Sequence, residues 1–406
     1  MMRKRIVLIT YVMPTATNYG AASALPYHLA KYRPEGIELF VYTFNANGVS
    51  NEKTKIIACE LNAKIKVMPL PEYFQKIVRS PWRKLFVMYP FLYYLKLEKQ
   101  YVDEINSFQS DGIWIYSEEW DRIVRQFPKK KIVHLFPDCQ SLYCKRIVKE
   151  KPKQSDSFMD QMKNRLMLWR YKKMEHSFMY GDNILNCLVG ECDREAFLKN
   201  SPRSNAIFLR HPHYDYYEKE VAFSCPKIKV LIAGKNNFYM YSAAKEMVRA
   251  FCGNSDLSQH YQITFLGSDW EQSVADMSDA GYDVKQIGYV EDYIGEVVKH
   301  DIQITPIVVG TGTKGKVLDA FANGLLVIGS SYALENIAVK NEESCIQYSG
   351  VEQLICVLRK ITLDKKYYED IAKKGRELIF SEHGRSRVSS EMFSLFNKSG
   401  SDKEKL

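Results

Sequence analysis

The chain has 406 residues, a net charge of +9 and 46% hydrophobic residues, which is the composition of a folded protein of two or three domains. It contains no run of about eighteen uninterrupted apolar residues, so no membrane-spanning helix is expected. The cysteines number nine and include no Cys-x-x-Cys pair, which argues against a disulfide framework and against a zinc knuckle. We therefore expect a cytoplasmic protein.

Short apolar runs alternate along the chain with helix-like or polar stretches. They predict seven strands in the first half, at 5–10, 37–43, 65–69, 113–117, 131–136, 184–189 and 206–210, and six in the second, at 229–233, 262–267, 284–287, 302–306, 325–328 and 345–348. Such alternation is typical of parallel sheets covered by helices on both faces. Two series separated by a polar stretch predict an α/β protein with two Rossmann-like domains, which bind ligands beyond the carboxyl ends of their strands.

The charge is unevenly distributed between the two halves. Residues 1–210 carry 34 Lys and Arg against 21 Asp and Glu, whereas the remainder carries 23 against 27. We place the first domain at 1–212, the second at 213–384, and a C-terminal helix and tail at 385–406. The basic first domain is expected to face an anionic partner.

A glycine-spaced loop follows the predicted strand that ends at Pro306. It consists of Gly310, Thr311, Gly312, Thr313, Lys314 and Gly315, and a predicted helix begins at Lys316. Unpaired amides at a helix N-terminus, together with the helix dipole, favour an anion, and the two lysines add positive charge. Asp319 lies one turn further on the same face as Lys316, where it can accept hydrogen bonds from ribose hydroxyls. The unit predicts a nucleoside diphosphate site, although similar loops also occur in α/β proteins without a ligand.

This segment closely resembles the donor-site signature of glycosyltransferase family 4 and its relatives of GT-B fold. In that family a proline-ended strand leads to a glycine loop and then to a K-V-L-E-A-x-A-x-G-x-P-V-V run; here residues 316–328 read KVLDAFANGLLVI. Many members carry two glutamates in this segment. Thr311 stands at the position of the first, and Asp319, one methylene shorter, stands at the position of the second. Leu326 replaces the proline of the family run. The resemblance implies two Rossmann-like domains facing a central cleft, with a C-terminal helix that crosses back to the N-terminal domain.

The resemblance also implies roles for residues in other loops. Gly234 and Lys235 follow the first strand of the second domain, where Lys235 would meet the donor diphosphate. The loop with Tyr289 and Val290 would receive the nucleobase through main-chain groups. In the first domain, the loop of Asn18 and Gly20 would border the donor phosphates and the acceptor.

Asp138 and Ser141 follow the fifth predicted strand and look like the D-x-x-S-x-x-Y stretch of some bacterial family 4 enzymes. An acid at this place could orient or deprotonate an acceptor hydroxyl. The alternative is that Asp138 caps the following helix and Ser141 completes the turn. We predict Asp138, Lys235 and Lys316 as catalytic residues and Ser141 as an acceptor-side residue.

The region 73–101 holds nine aromatic residues among six Lys and Arg and a single acid, Glu98. Such a mixture suits the interface of an anionic membrane, where a lipid-linked acceptor would be presented. The alternative is a helix-rich core with its charges facing water. Because no RNA-binding signature accompanies these residues, nucleic acid is not expected as a partner.

The resemblance leads to a specific functional prediction. The protein is predicted to be a transferase that moves a hexose from a UDP- or GDP-linked sugar to a hydroxyl of a glycan or lipid-linked acceptor. The reaction is expected to proceed with retention and without a metal. We expect it to act in bacterial surface polysaccharide biosynthesis, at the inner face of the plasma membrane. The alternatives are a catalytically silent GT-B module that binds a glycan or protein partner, which Thr311 and the short Asp319 favour, and a nucleotide-sugar epimerase.

Overall fold

A computed structural model describes residues 4–16, 21–80, 87–150, 158–224 and 226–397. The chain divides into two compact units. The first is built from Met1–Val148, Ser157–Pro212 and Arg385–Leu406, and the second contains His213–Gly384. Each unit has its own parallel sheet, as the alternating sequence pattern predicts.

The first unit contains a seven-stranded sheet of order β3-β2-β1-β4-β5-β6-β7. Its strands pair in parallel. The central strands are apolar and buried because helices cover both faces, whereas the edge strands β3 and β7 are partly exposed. The strands are β1 (Lys4–Thr10), β2 (Ile37–Thr43), β3 (Ala63–Val67), β4 (Gly112–Tyr116), β5 (Ile132–Phe136), β6 (Ile184–Leu188) and β7 (Ala206–Phe208).

Nine α-helices of the described chain belong to this unit. They are α1 (Ala21–Lys31), α2 (Asn51–Glu60), α3 (Glu72–Arg79), α4 (Lys99–Ser107), α5 (Asp121–Val124), α6 (Gln140–Glu150), α7 (Phe158–His176), α8 (Glu191–Asn200) and α16 (Arg385–Ser394). The last of these returns from the end of the chain: Ser389 Oγ donates to Leu29 O at 2.6 Å, and the Phe393 ring lies 5.8 Å from that of Trp114. The predicted crossing of the C-terminal helix back to the N-terminal unit is confirmed.

The second unit has a six-stranded parallel sheet of order β10-β9-β8-β11-β12-β13. The strands are β8 (Ile228–Ala233), β9 (Tyr261–Leu266), β10 (Asp283–Ile287), β11 (Ile302–Thr305), β12 (Leu326–Gly329) and β13 (Ile346–Gln347). The helices are α9 (Tyr241–Cys252), α10 (Glu271–Asp279), α11 (Tyr293–Val297), α12 (Gly315–Ala322), α13 (Ser331–Leu334), α14 (Val351–Leu363) and α15 (Lys365–Glu382). All thirteen predicted strands are therefore present, with ends shifted by one or two residues.

Each sheet reverses its strand order at one point. In the first unit this switch point lies between β1 and β4, and in the second between β8 and β11. Consecutive crossovers leave such a point in opposite directions, so a crevice opens at the carboxyl ends of the two strands. The loops after β8 and β11 are therefore where the second unit is expected to bind a ligand.

The aromatic region 73–101 is described except for residues 81–86. Its rings pack on one another: Tyr89 and Tyr93 lie 4.3 Å apart, and the Arg122 guanidinium lies 5.4 Å from the rings of Tyr93 and of Tyr94. Tyr73 keeps 44% of its surface exposed. No helix in the described part of the chain has both the length and the apolar character that crossing a bilayer requires. Contact with a membrane surface stays a prediction.

Candidate functional site

The two loops at the switch point of the second unit contact each other. Val308 N, after β11, donates a hydrogen bond to Tyr239 O, after β8, at 2.9 Å. The first loop carries Gly234 and Lys235, and the second leads into the glycine loop 310–315. The fold therefore brings together two predicted donor-site segments that are about seventy residues apart in sequence.

The conformation of the glycine loop depends on its glycines. Gly310 has φ 153° and Gly312 has φ 61°, values that side-chain-bearing residues rarely adopt. Asn336, which follows α13, supports the loop by donating from Nδ2 to Gly312 O at 3.1 Å. Helix α12 begins immediately afterwards at Gly315, so its first amides lie beside the loop. This is the strand, loop and helix arrangement that suits a phosphate group.

The three predicted lysines lie in different environments. Lys314 folds back on its own loop and donates from Nζ to Thr311 O at 3.0 Å and to Gly312 O at 2.9 Å. Lys316 is exposed, and its ammonium lies 5.4 Å from the centre of the Tyr293 ring. Lys235 pairs with Asp269 at 3.2 Å, in an ion pair of which both side chains are more than half exposed. Such a surface pair contributes about 0–1 kcal/mol, so an anionic ligand can compete for Lys235.

Asp319, the predicted ribose acceptor, is buried in α12. Its Oδ1 accepts a hydrogen bond from Tyr214 N at 3.1 Å, and the amide of Asp215 is a second partner. Burial raises the pKa of Asp319 to about 7, while these amides and Lys316 oppose the shift. The carboxyl group is therefore engaged by the chain itself, and its role on the ribose stays a prediction.

Two buried polar atoms close to these loops lack a hydrogen-bond partner among the described residues. They are the hydroxyl of Tyr293, whose ring lies under Lys316, and Oδ1 of Asn236, which follows Lys235. An unsatisfied buried polar group costs roughly 1–3 kcal/mol, so each favours a ligand or a water at the site. Neither residue has a role predicted from the sequence, and only their places after β8 and β10 could have indicated one.

The remaining predicted donor residues also lie at the carboxyl edge of the second sheet. Gly234 follows β8, and its carbonyl accepts from Trp270 Nε1 at 2.8 Å. Tyr289 and Val290 follow β10 in an exposed loop, where Tyr289 has 73% of its surface exposed. An exposed main chain here is available to a nucleobase, but nothing in the loop selects one base.

In the first unit, buried carboxyl groups hold the loop that carries Asp138. Main-chain amides of three successive residues each donate to a different acid: Cys139 N to Asp193 Oδ1 at 2.9 Å, Gln140 N to Glu118 Oε2 at 2.9 Å, and Ser141 N to Glu175 Oε1 at 3.2 Å. Acids from other elements therefore satisfy amides at the start of α6, which fixes this loop. Asp138 is half-buried just before them. Asn18 and Gly20 lie outside the described residues.

Glu118 and Glu175 form a buried carboxyl pair. Burial and the neighbouring Glu175 raise the pKa of Glu118 well above its ordinary value, and burial raises the pKa of Glu175 despite its hydrogen bonds. Two buried carboxyl groups in contact favour a shared proton over ionisation of both. One ligand atom from each of Glu118, Cys139 and Glu175 lies within 4.8 Å of the others, a spacing that could hold a metal ion. Burial also raises the pKa of the Cys139 thiol, which makes it a poor ligand.

Comparisons with solved structures identify the class of fold. The chain is similar to sucrose-phosphate synthase from Thermosynechococcus elongatus (TM-score 0.65, 14% identity, 97% of this chain and 98% of that one). It is also similar to Anabaena HepE in complex with UDP (0.60, 10%, 97% and 99%) and to WaaG, a glycosyltransferase involved in lipopolysaccharide biosynthesis (0.58, 13%, 97% and 98%). No protein-family model and no curated protein sequence matches the chain.

The chain has the GT-B fold. The similarity spans nearly the full length of both partners, and the two parallel sheets with the returning C-terminal helix agree with it. Identities of 10–14% establish the fold and not the reaction. The fold alone therefore does not assign a function to the chain.

Proposed function

We propose that this protein is a nucleotide-sugar-dependent glycosyltransferase. The observation that carries the proposal is the switch point of the second unit, where a glycine loop, the N-terminus of α12, Lys316 and Lys235 lie within one GT-B domain. Main-chain amides and ammonium groups at that place suit the diphosphate of a nucleotide sugar. HepE, which shares the fold, has been crystallised with UDP and with UDP-glucose, so the uridine nucleotides are the first to test.

In the proposed reaction, these residues would stabilise the leaving group. Transfer breaks the bond between the sugar C1 and the diphosphate oxygen and forms a bond from C1 to an acceptor oxygen, whose proton is released. Negative charge develops on the departing diphosphate, and preorganised amides with Lys316 would stabilise it. Asp138 would orient or deprotonate the acceptor hydroxyl from its fixed loop. Retention, a hexose donor, independence of a metal, and a glycan or lipid-linked acceptor in surface polysaccharide assembly belong to the same proposal.

A second candidate is a silent GT-B module. Two observations favour it: Lys314 occupies the carbonyls of its own loop, and Asp319 is engaged by main-chain amides. A module of this kind would bind a glycan or a protein partner without turnover.

Incubation with a panel of UDP- and GDP-sugars separates the candidates. The transferase releases nucleoside diphosphate, slowly to water and faster when an acceptor glycan is present. The silent module releases none. An epimerase converts one nucleotide sugar into another without any acceptor, which chromatography of the products detects. Absence of nucleotide release with every donor and acceptor would count against the transferase.

A further inference from the structure

The first unit contains a pocket that is separate from the predicted donor site of the second unit. It lies among helices α6, α7 and α8 and has a volume of about 400 Å³. Volumes of roughly 300–1,000 Å³ are typical of sites for small molecules. We call it the helix pocket.

Its wall carries an excess of positive charge. Lys145 and Arg146 come from α6, Lys172 from α7 and Lys199 from α8, against a single lining acid, Glu195. No carboxylate in the described part of the chain lies within ion-pair distance of Lys145, Lys172 or Lys199, whereas Arg146 has contacts of its own. Cationic side chains from three helices line one cavity, and such a concentration of positive charge attracts an anion.

The floor of the helix pocket is polar and rigid. Ser141 and Asn200 lie there, and Asn200 Nδ2 donates to Ser141 Oγ at 3.0 Å and to the buried Glu175 Oε2 at 2.5 Å. Ser141 is only 3% exposed and also donates from Oγ to Glu175 at 2.8 Å. The network fixes the relative positions of α6, α7 and α8, so the lysines project from a fixed frame.

We propose that the helix pocket binds a phosphate group carried by a small sugar or by a lipid headgroup. A phosphate is compact and multivalent, which suits several ammonium groups around one cavity better than a single carboxylate does. Ser141 joins the pocket to the loop of Asp138, three residues earlier. For a transferase of the proposed kind, this phosphate belongs to the acceptor. Only this assignment to the acceptor rests on the proposed function.

Titration calorimetry of the full chain with inorganic phosphate, glucose 6-phosphate and glucose tests the proposal. We expect the two phosphates to bind competitively and glucose to bind at least tenfold more weakly. The double variant Lys145→Ala/Lys199→Ala should lose about tenfold in phosphate affinity, because two of the facing charges are removed. The matched control Lys53→Ala/Lys129→Ala, at exposed sites of the same unit away from the pocket, should bind like the wild type.

Sedimentation with vesicles distinguishes the two sources of phosphate. If the source is a lipid, the wild type binds vesicles of phosphatidylcholine only when phosphatidylglycerol is added, and the pocket variant does not. If the source is a sugar, glucose 6-phosphate binds and the vesicle result is the same for both double variants. Absence of binding to any phosphate, or equal losses in the pocket and control variants, would overturn the proposal. UDP affinity, measured in parallel, reports on the second unit, so failure of the transferase proposal is recognised separately.

Discussion

Asp319 Oδ1 accepts a hydrogen bond from the main-chain amide of Tyr214 at 3.1 Å, which ties the predicted ribose-binding acid to the first residues of its own unit. The carboxyl group is buried, and burial raises its pKa to about 7. Asp319 therefore contributes to the pH dependence of folding whether or not it contacts a nucleotide.

The first prediction concerns this titration. The ordinary pKa of Asp319 is 3.8 and the folded value is about 7, so the folded state holds the proton more tightly. The resulting stability is fully present below about pH 4, falls as the pH rises to about 7, and is constant above that. Asp319→Asn has no such titration. Between about pH 4 and pH 7, the free energy of unfolding of the wild type, measured with urea, should fall by roughly 2–4 kcal/mol relative to that of the variant. A constant difference would contradict the raised pKa.

The second prediction concerns the carboxyl pair. Because a proton shared between Glu118 and Glu175 is favoured, an amide is a close substitute for the Glu118 carboxyl group: Glu118→Gln can still accept from Gln140 N and donate to Glu175. It should change the free energy of unfolding by less than about 1 kcal/mol at pH 7 and become relatively favourable at higher pH. Glu118→Ala leaves the Gln140 amide without its acceptor and removes the carboxyl partner of Glu175, and it should cost about 2–4 kcal/mol. Equal losses in the two variants would mean that Glu118 is ionised.

The third prediction concerns the close approach of two loops in the second unit. Gly267 has φ 147°, and a Cβ atom added there would lie 2.3 Å from Gly234 O. Gly267→Ala should destabilise the protein by about 2–4 kcal/mol in urea unfolding. The matched control is Gly288→Ala, whose Cβ would meet nothing within 4 Å and should cost less than about 0.5 kcal/mol. Similar costs at both positions would refute the close approach.

The fourth prediction concerns the returning helix α16. Phe393 is 3% exposed and packs against Trp114, so Phe393→Ala should cost about 3–5 kcal/mol. Ile56→Ala, at a residue of the same unit that is 58% exposed, should change stability by less than about 0.5 kcal/mol. Thermal unfolding followed by tryptophan fluorescence is a suitable measurement. A stable Phe393→Ala protein would mean that α16 does not belong to the core of this unit.

The fold could be predicted from local sequence patterns, whereas much of the candidate site could not. Short apolar runs separated by helix-like stretches were enough to predict both sheets, because a parallel strand buried on both faces is apolar throughout. The glycine loop was likewise predictable from its residues. The group of Glu118, Cys139 and Glu175 was not, since three segments that are distant in sequence form it only after folding.

Side-chain conformations were the other part that the sequence did not reveal. Spacing placed Lys314 and Lys316 near one anion site, but only the structure shows that Lys314 turns back to Thr311 O and Gly312 O. Spacing also placed Asp319 and Lys316 on one helix face, without indicating that main-chain amides of Tyr214 and Asp215 engage the acid. The helix pocket could not be predicted from the sequence, because its lysines come from three helices.

The most direct measurement is titration calorimetry of UDP and GDP with the wild type, Lys316→Ala and the control Lys360→Ala, an exposed lysine on α14 of the same unit. We predict that the wild type and Lys360→Ala bind one of the nucleotides equally well. Lys316→Ala should bind it about tenfold more weakly, because a charge-assisted contact to the diphosphate is lost. Equal affinity for all three proteins, or no binding of either nucleotide, would contradict a diphosphate site at the glycine loop and the N-terminus of α12.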